Sequence, residues 1–171
     1  ETKKRCLIPM DKIFNVGLIG CGHIAETYFR AHKYFNNFKI IKCADINHKA
    51  AIKCAKTNKI KAVSIKEILN DKKIKVILNL TIPAAHYSVA NQAIKHGKHV
   101  YSEKPLAINF NDGKKLVKLA KRKKLYIGNA PDTFLGGGLQ KSRELLDKKV
   151  IGKVKFGNAI FAYPGVQSYH P

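Results

Sequence analysis

The chain has 171 residues, 45% of them hydrophobic, which makes one ordinary domain, or one domain and part of a second, with apolar content enough for a real core. Its 33 basic residues against 11 acids give a net charge of +22, and no apolar run approaches the ~20 residues of a membrane span. That composition excludes a disordered chain and a membrane-spanning helix, and it attracts anions without regard to their identity.

Only four of the basic residues are arginine: Arg5, Arg30, Arg122 and Arg143. Neither arginine forks nor stacking aromatics are clustered, so no specific nucleic-acid partner is expected. The opening residues hold no apolar signal region, Met10 reads as a start residue with residues 1–9 as an added extension, and the expected location is cytoplasmic. Cys6, Cys21, Cys43 and Cys54 make no C-x-x-C pair, so reduced thiols and no metal site are expected.

Residues 14–20 read as a buried strand that ends at glycine, and Ile24, Tyr28 and Ala31 then fall at helical spacing. A second strand over 38–45 ends in an acid, and a helix over 48–58 sets Ala51, Ile52 and Ala55 on one face. A short strand at 61–64 precedes a short helix over 65–71, with Ser64 and Glu67 spaced as a capping box. The fourth strand, 75–83, is stopped by Pro83; the next helix, 85–97, turns Val89, Ala90, Ala93 and Ile94 inward and stops at Gly97. A fifth strand begins at Lys98 and runs into a loop, and an amphipathic helix over 110–124 sets Leu116, Val117 and Ala120 against six lysines and Arg122. A sixth strand spans 125–130, and a helix over 136–149 carries Leu139, Leu145 and Leu146.

Strands and helices in strict alternation predict βαβ units and an α/β fold, a doubly wound parallel sheet. The last segment, 152–164, loosely alternates Val154, Phe156, Ala159 or Ile160, and Ala162, as in a half-exposed antiparallel strand. It breaks the rhythm and reads as the first strand of a second domain. The expected division is therefore a nucleotide-binding domain over 10–150 and the start of an incomplete domain over 151–171. An apolar strand edge invites pairing with another chain, so a homo-oligomer is expected.

The run "VGLIGCGHIA" places Gly20-x-Gly22-x-x-Ala25 between a strand and a helix, the pattern of a dinucleotide-binding turn. The first glycine makes the tight turn, the second lets the backbone approach a pyrophosphate, and Ala25 lets helix and strand pack closely. The phosphates then meet free N–H groups and the positive end of the helix dipole. Asp45, twenty residues after Ala25 at the end of the second strand, sits where an acid accepts from the adenosine ribose; the alternative is a strand-end turn acid. An acid there repels a 2′-phosphate, so NAD is favoured over NADP, although Lys49 offers one nearby cation. His23 reads either as a phosphate or ribose neighbour or as an exposed bystander, and with Ile24 it joins the cofactor-binding candidates.

With "GKHVYSEKPLA" and "LTIPAAHYSVANQAIKHG" added to that turn, residues 12–164 resemble the glucose–fructose oxidoreductase / inositol dehydrogenase / MocA family. The resemblance implies an N-terminal Rossmann domain, a C-terminal α/β domain, and NAD(P)-dependent hydride transfer at a secondary alcohol of a sugar, inositol or related polyol. It implies that Lys104 of the Glu-Lys-Pro run is the catalytic cation that hydrogen-bonds the substrate hydroxyl and supports negative charge on its oxygen. Pro105 would fix that loop, with a cis bond before it, and Glu103 would contact the ribose or orient Lys104. Thr81, Ile82, Pro83 and His86 would line the pyrophosphate and ribose, His86 either by bonding a ribose or by capping the helix that follows. The family's proton-transfer residues come from its C-terminal domain and have no counterpart motif here, so a second reading is a dinucleotide-binding module without catalysis; a third, resting on the +22 charge alone, is a nucleic-acid binder on the same scaffold. A short-chain dehydrogenase fits less well, since Tyr101 and Lys104 are one residue too close for a Tyr-x-x-x-Lys pair.

Overall fold

The computed structural model describes residues 13–31, 34–131, 133–160 and 162. The chain divides into two compact units, Glu1–Pro131 and Asp132–Pro171.

In the first unit, β1 (Phe14–Ile19), β2 (Phe38–Ala44), β3 (Lys61–Ala62), β4 (Ile74–Asn79), β5 (His99–Ser102) and β6 (Ile127–Asn129) form one sheet in the order β3-β2-β1-β4-β5-β6, and every pairing is parallel. Between them run α1 (His23–Ala31), α2 (His48–Asn58), α3 (Ile65–Asn70), α4 (Pro83–Lys95) and α5 (Phe110–Arg122). The order reverses at β1, whose two neighbours, β2 and β4, lead away in opposite directions. In open parallel sheets, ligands bind beyond the carboxyl ends of the strands at such a reversal.

Alternation along β1 explains why both faces are covered. Val16 and Leu18 pack with Ala25 and Phe29 of α1 and Ala55 of α2, whereas Ile19 packs with Ile68 and Leu69 of α3 and Val89, Ala90, Ala93 and Ile94 of α4. Gly17 faces that second layer, where a Cβ would stand 2.6 Å from Ile68. The inward face predicted for α4 is the buried one. In α2 and α5 the buried stripe is narrower than the sequence pattern, with Ile52 and Val117 exposed and Ala51 with Ala55, and Leu116 with Ala120, in the core; in α1 the stripe is displaced by one position, with Ile24 exposed and Ala25 and Phe29 buried in place of the expected Ile24, Tyr28 and Ala31.

The local end signals act as their chemistry requires. The Ser64 hydroxyl accepts from the Glu67 N–H while the Glu67 carboxylate accepts from the Ser64 N–H, which completes the capping box of α3 and holds that carboxyl below its usual range. Asn47 and Asn109 cap α2 and α5. Pro83 does not terminate the fourth strand, which stops at Asn79; it opens α4, where a residue without an N–H costs nothing.

One buried cation holds the α3–β4 corner. Lys98 is 6% exposed, and its ammonium donates to the carbonyl oxygens of Asp71, at 2.6 Å, and Ile74, at 2.8 Å. Burial pushes its pKa down, and the two carbonyls satisfy the charge that remains. Lys42 closes the same corner with a 2.8 Å ion pair to the Asp71 carboxylate.

The second unit holds a 3₁₀ turn at Thr133–Leu135 and the helix α6 (Gly137–Asp147), braced on its polar side by Arg143–Asp147 and Lys148–Glu144 pairs. Leu139, Leu145 and Leu146 of α6 are exposed. The half-exposed strand expected over 152–164 does not form across 152–160, which join no ladder; residues 161, 163 and 164 lie outside the described residues. A strand is defined by its partner, and among the described residues none pairs with this segment.

Asp71 gives the fold a pH signature. The Lys42 ammonium, and then the Lys73 N–H, hold its carboxyl below the usual carboxylate range. A carboxyl lowered on folding stabilises the native state above its ordinary pKa of about 4 and loses that contribution as the pH falls through the lowered value. Asp71→Asn is therefore expected to lower the melting temperature at neutral pH by about 2–4 °C, for about 1 kcal/mol. Melting curves across an acid series check the sign: the gap from wild type closes as the pH falls below about 4.

Candidate functional site

The carboxyl ends of β1, β2, β4 and β5 bring most of the predicted residues to one edge of the first unit. Gly20 leaves β1 with φ +100°, and its N–H donates to Ala44 at 2.9 Å. A Cβ on Gly20 would stand 2.5 Å from the Leu80 carbonyl and 2.6 Å from the Thr81 nitrogen. Both the backbone angle and the space therefore require glycine. Gly22 is the opposite case: nothing lies within 4 Å of the position a Cβ would take, so its backbone face is open to a ligand. Ala25 is buried where α1 packs on the sheet.

Asp45 does more than the sequence pattern indicates. One carboxylate oxygen accepts from the Cys21 N–H at 2.6 Å and the other from the Asn47 N–H at 2.7 Å. It thus ties the glycine turn to the end of β2 and shapes the start of α2. Each oxygen keeps a further lone pair for a hydroxyl donor. His23 and Ile24 open α1 and are exposed. Among the described residues, the N–H groups of Gly22, His23 and Ile24 have no backbone acceptor, as the first turn of a helix dictates.

The Glu-Lys-Pro loop is held from below by a buried polar chain that sequence reading did not anticipate. Asn79, fully buried at the end of β4, donates to the His86 carbonyl at 3.0 Å and to the Ser102 hydroxyl at 3.2 Å, and accepts from the Thr81 hydroxyl at 2.7 Å. His86 lies one turn inside α4 and is 1% exposed, so it does not cap the helix. Its Nδ1 stands 2.6 Å from the Pro105 carbonyl and its Nε2 2.8 Å from the Thr81 carbonyl. The ring therefore bridges the end of β4 to the loop after β5. Ile82 and Pro83 stand exposed at the mouth of α4.

On the other side, Tyr28 of α1 donates to the Glu103 carboxylate at 2.9 Å and meets Tyr101 edge-on. The second Glu103 oxygen accepts from the Lys104 N–H at 3.1 Å, and the Asn129 side chain donates to the Ser102 and Glu103 carbonyls. Lys104 precedes a cis peptide bond to Pro105, as the resemblance implied, and its side chain is exposed. It joins no ion pair among the described residues. The loop thus carries a cation whose backbone is fixed and whose head is unspent.

These residues fit a dinucleotide: a turn without a side chain at Gly20, an open backbone at Gly22, free N–H groups at a helix start, and an acid at the second strand's end. The pattern of the oxidoreductase family with an NAD-binding Rossmann fold matches residues 14–130. The chain belongs to that family. It is 29% identical over 148 residues to oxidoreductase P35 of Formosa agariphila, across 85% of this chain and 46% of the relative. It is 33% identical over 101 residues to trans-1,2-dihydrobenzene-1,2-diol dehydrogenase of Xenopus laevis, across 59% and 31%. Among solved structures, biliverdin reductase of Synechocystis, in complex with biliverdin and NADP⁺, superposes with a TM-score of 0.69 at 30% identity, across 78% of this chain and 43% of that one. The chain spans less than half the length of these relatives. Among the described residues no helix is long and apolar enough to cross a membrane.

Gly20→Ala tests the turn. The backbone conformation alone costs about 1–3 kcal/mol, and the contact with Leu80 adds to it. Chemical denaturation is expected to show at least that loss, whereas Gly22→Ala, which adds a methyl in open space, leaves stability near wild type.

Proposed function

We propose that this chain is the dinucleotide-binding part of an oxidoreductase that transfers hydride between NAD and a secondary alcohol of a sugar, inositol or related polyol. The observation that carries the reading is the meeting, at one sheet edge, of the Gly20 turn, Asp45 and the braced Glu103-Lys104-Pro105 loop. The nicotinamide supplies or accepts the hydride; every other task falls to the protein.

Gly22 and the start of α1 receive the pyrophosphate through backbone N–H groups, with His23 and Ile24 beside it. Asp45 accepts from the adenosine ribose and, as a carboxylate, disfavours a 2′-phosphate, so NAD is the preferred form over NADP. Thr81, Ile82 and Pro83 line the cofactor's path between β4 and α4. Glu103 contacts the ribose or steers Lys104, and its bond from Tyr28 limits where it can turn. Lys104 donates to the substrate hydroxyl and stabilises negative charge growing on that oxygen. His86 positions the loop through the Pro105 carbonyl rather than touching substrate. The partner is a small polyol rather than a nucleic acid, and the assembly is a homo-oligomer of a cytoplasmic enzyme.

Calorimetric titration with NAD⁺, NADH and NADP⁺ tests the reading. Binding of NAD⁺ or NADH in the micromolar range, weaker for NADP⁺, is expected. Asp45→Asn is expected to weaken NAD⁺ binding by about 10–100-fold, the worth of hydrogen bonds to a charged acceptor, with circular dichroism confirming the fold. No binding of any of the three, or an unchanged affinity in Asp45→Asn, overturns it.

A further inference from the structure

Three of the four cysteines converge, although no sequence spacing pairs them. Cys21 sits in the glycine turn, Cys43 in β2 and Cys54 in α2, and their three Sγ atoms all lie within 4.8 Å of one another. Cys43 is completely buried; Cys21 and Cys54 are half-buried. The latter two line a surface groove with Gly22, His23, Glu26 and Lys53, which is an entry path from solvent. We propose that Cys21, Cys43 and Cys54 form a binding site for one soft, thiophilic d¹⁰ metal ion, of the class of Zn²⁺ and Cu⁺.

The geometry is close to what such an ion needs. Three sulfurs at the ~2.3 Å of a zinc–thiolate bond stand about 3.8–4.0 Å apart, so the triad closes on an ion with a contraction of about 1 Å or less per pair. Small χ1 adjustments supply that. The present contacts are weak ones that a metal can replace: Cys21 Sγ lies 3.6 Å from the Ala44 carbonyl and Cys43 Sγ 3.5 Å from the Ala51 carbonyl. Thiolate sulfur selects soft ions over Mg²⁺ or Ca²⁺. Coordination breaks up to three S–H bonds and forms three metal–sulfur bonds, with the protons released to solvent and no change of oxidation state. The resulting anionic centre has Lys53 in the groove beside it, in a chain of net charge +22.

Burial pushes the Cys54 thiol up to about 11, and the neighbouring sulfurs with burial raise Cys21 as well. The neighbouring Cys21 thiol lowers Cys43 from its ordinary value, against the effect of burial. Binding an ion draws thiolate from the sulfurs and displaces their protons, so the affinity falls as the pH is lowered.

The site lies under the turn that faces the dinucleotide, yet its test does not depend on dinucleotide binding. The reduced 171-residue chain carrying Cys6→Ser, so that only the three clustered thiols remain, is titrated anaerobically with Cd²⁺ as the spectroscopic probe. One equivalent is expected to saturate an ultraviolet sulfur-to-metal charge-transfer band, to release protons, and to shield all three thiols from a thiol-specific reagent. Zn²⁺ is expected to compete with Cd²⁺ for the same equivalent. Cys54→Ser, a near-isosteric change at a half-buried position beside the core, is expected to weaken Cd²⁺ by more than the roughly 10–100-fold that outer-shell changes cost. Absence of the band at one equivalent, or undiminished affinity in a folded Cys54→Ser or Cys21→Ser chain, overturns the proposal.

Discussion

Close backbone approach between the ends of β1 and β4 is the constraint on which the rest of the site depends. Gly20 lies so near the Leu80–Thr81 peptide that no Cβ fits, and the Leu80 N–H donates to the Ile19 carbonyl at 2.8 Å. These strands are neighbours where the sheet order reverses, the position at which open parallel sheets bind ligands. The glycine turn, the start of α1 and the mouth of α4 all take their positions from that contact.

A second layer of order comes from buried polar groups rather than from apolar packing. Asn79, Ser102, Thr81 and His86 join β4, β5 and α4 into one hydrogen-bonded chain whose last member grips the Pro105 carbonyl. Among the described residues no buried side-chain nitrogen or oxygen lacks a partner. Satisfied networks of this kind specify one arrangement, because any slip strands a polar group away from water. The same logic governs Lys98, whose charge is tolerable inside only because two carbonyl oxygens meet it. The reward is a loop that presents Lys104 outward from a backbone held by Glu103, Asn129 and His86. Over the whole surface, the excess of lysine adds a long-range field that favours an anionic dinucleotide without choosing among anions.

The alternation of strands and helices, the glycine turn, the acid at the end of β2, the capping box and the Glu-Lys-Pro run were legible in the sequence because each is a local pattern with a local cause. Pro83 was misread as a strand stop because a proline signals a boundary without saying which side of it the next element begins. The inward faces of α2 and α5 were drawn too wide and that of α1 one position off, since apolar periodicity marks what can be buried and the neighbouring layer decides which of it is. The strand expected over 152–164 failed across 152–160 for a related reason: alternation makes a strand available, and only a partner makes it one.

What the sequence determined by itself was therefore the order and type of the elements as far as α6, the parallel α/β class, the family, and the few positions whose backbone or charge the chemistry dictates. Tertiary structure alone decided the second role of Asp45 as the tie between β2 and the glycine turn, the burial of His86 under Pro105, the satisfied Lys98, and the meeting of Cys21, Cys43 and Cys54. Each of these joins residues from separate elements, from 5 to 33 positions apart, and spacing along a chain carries no distance across a fold.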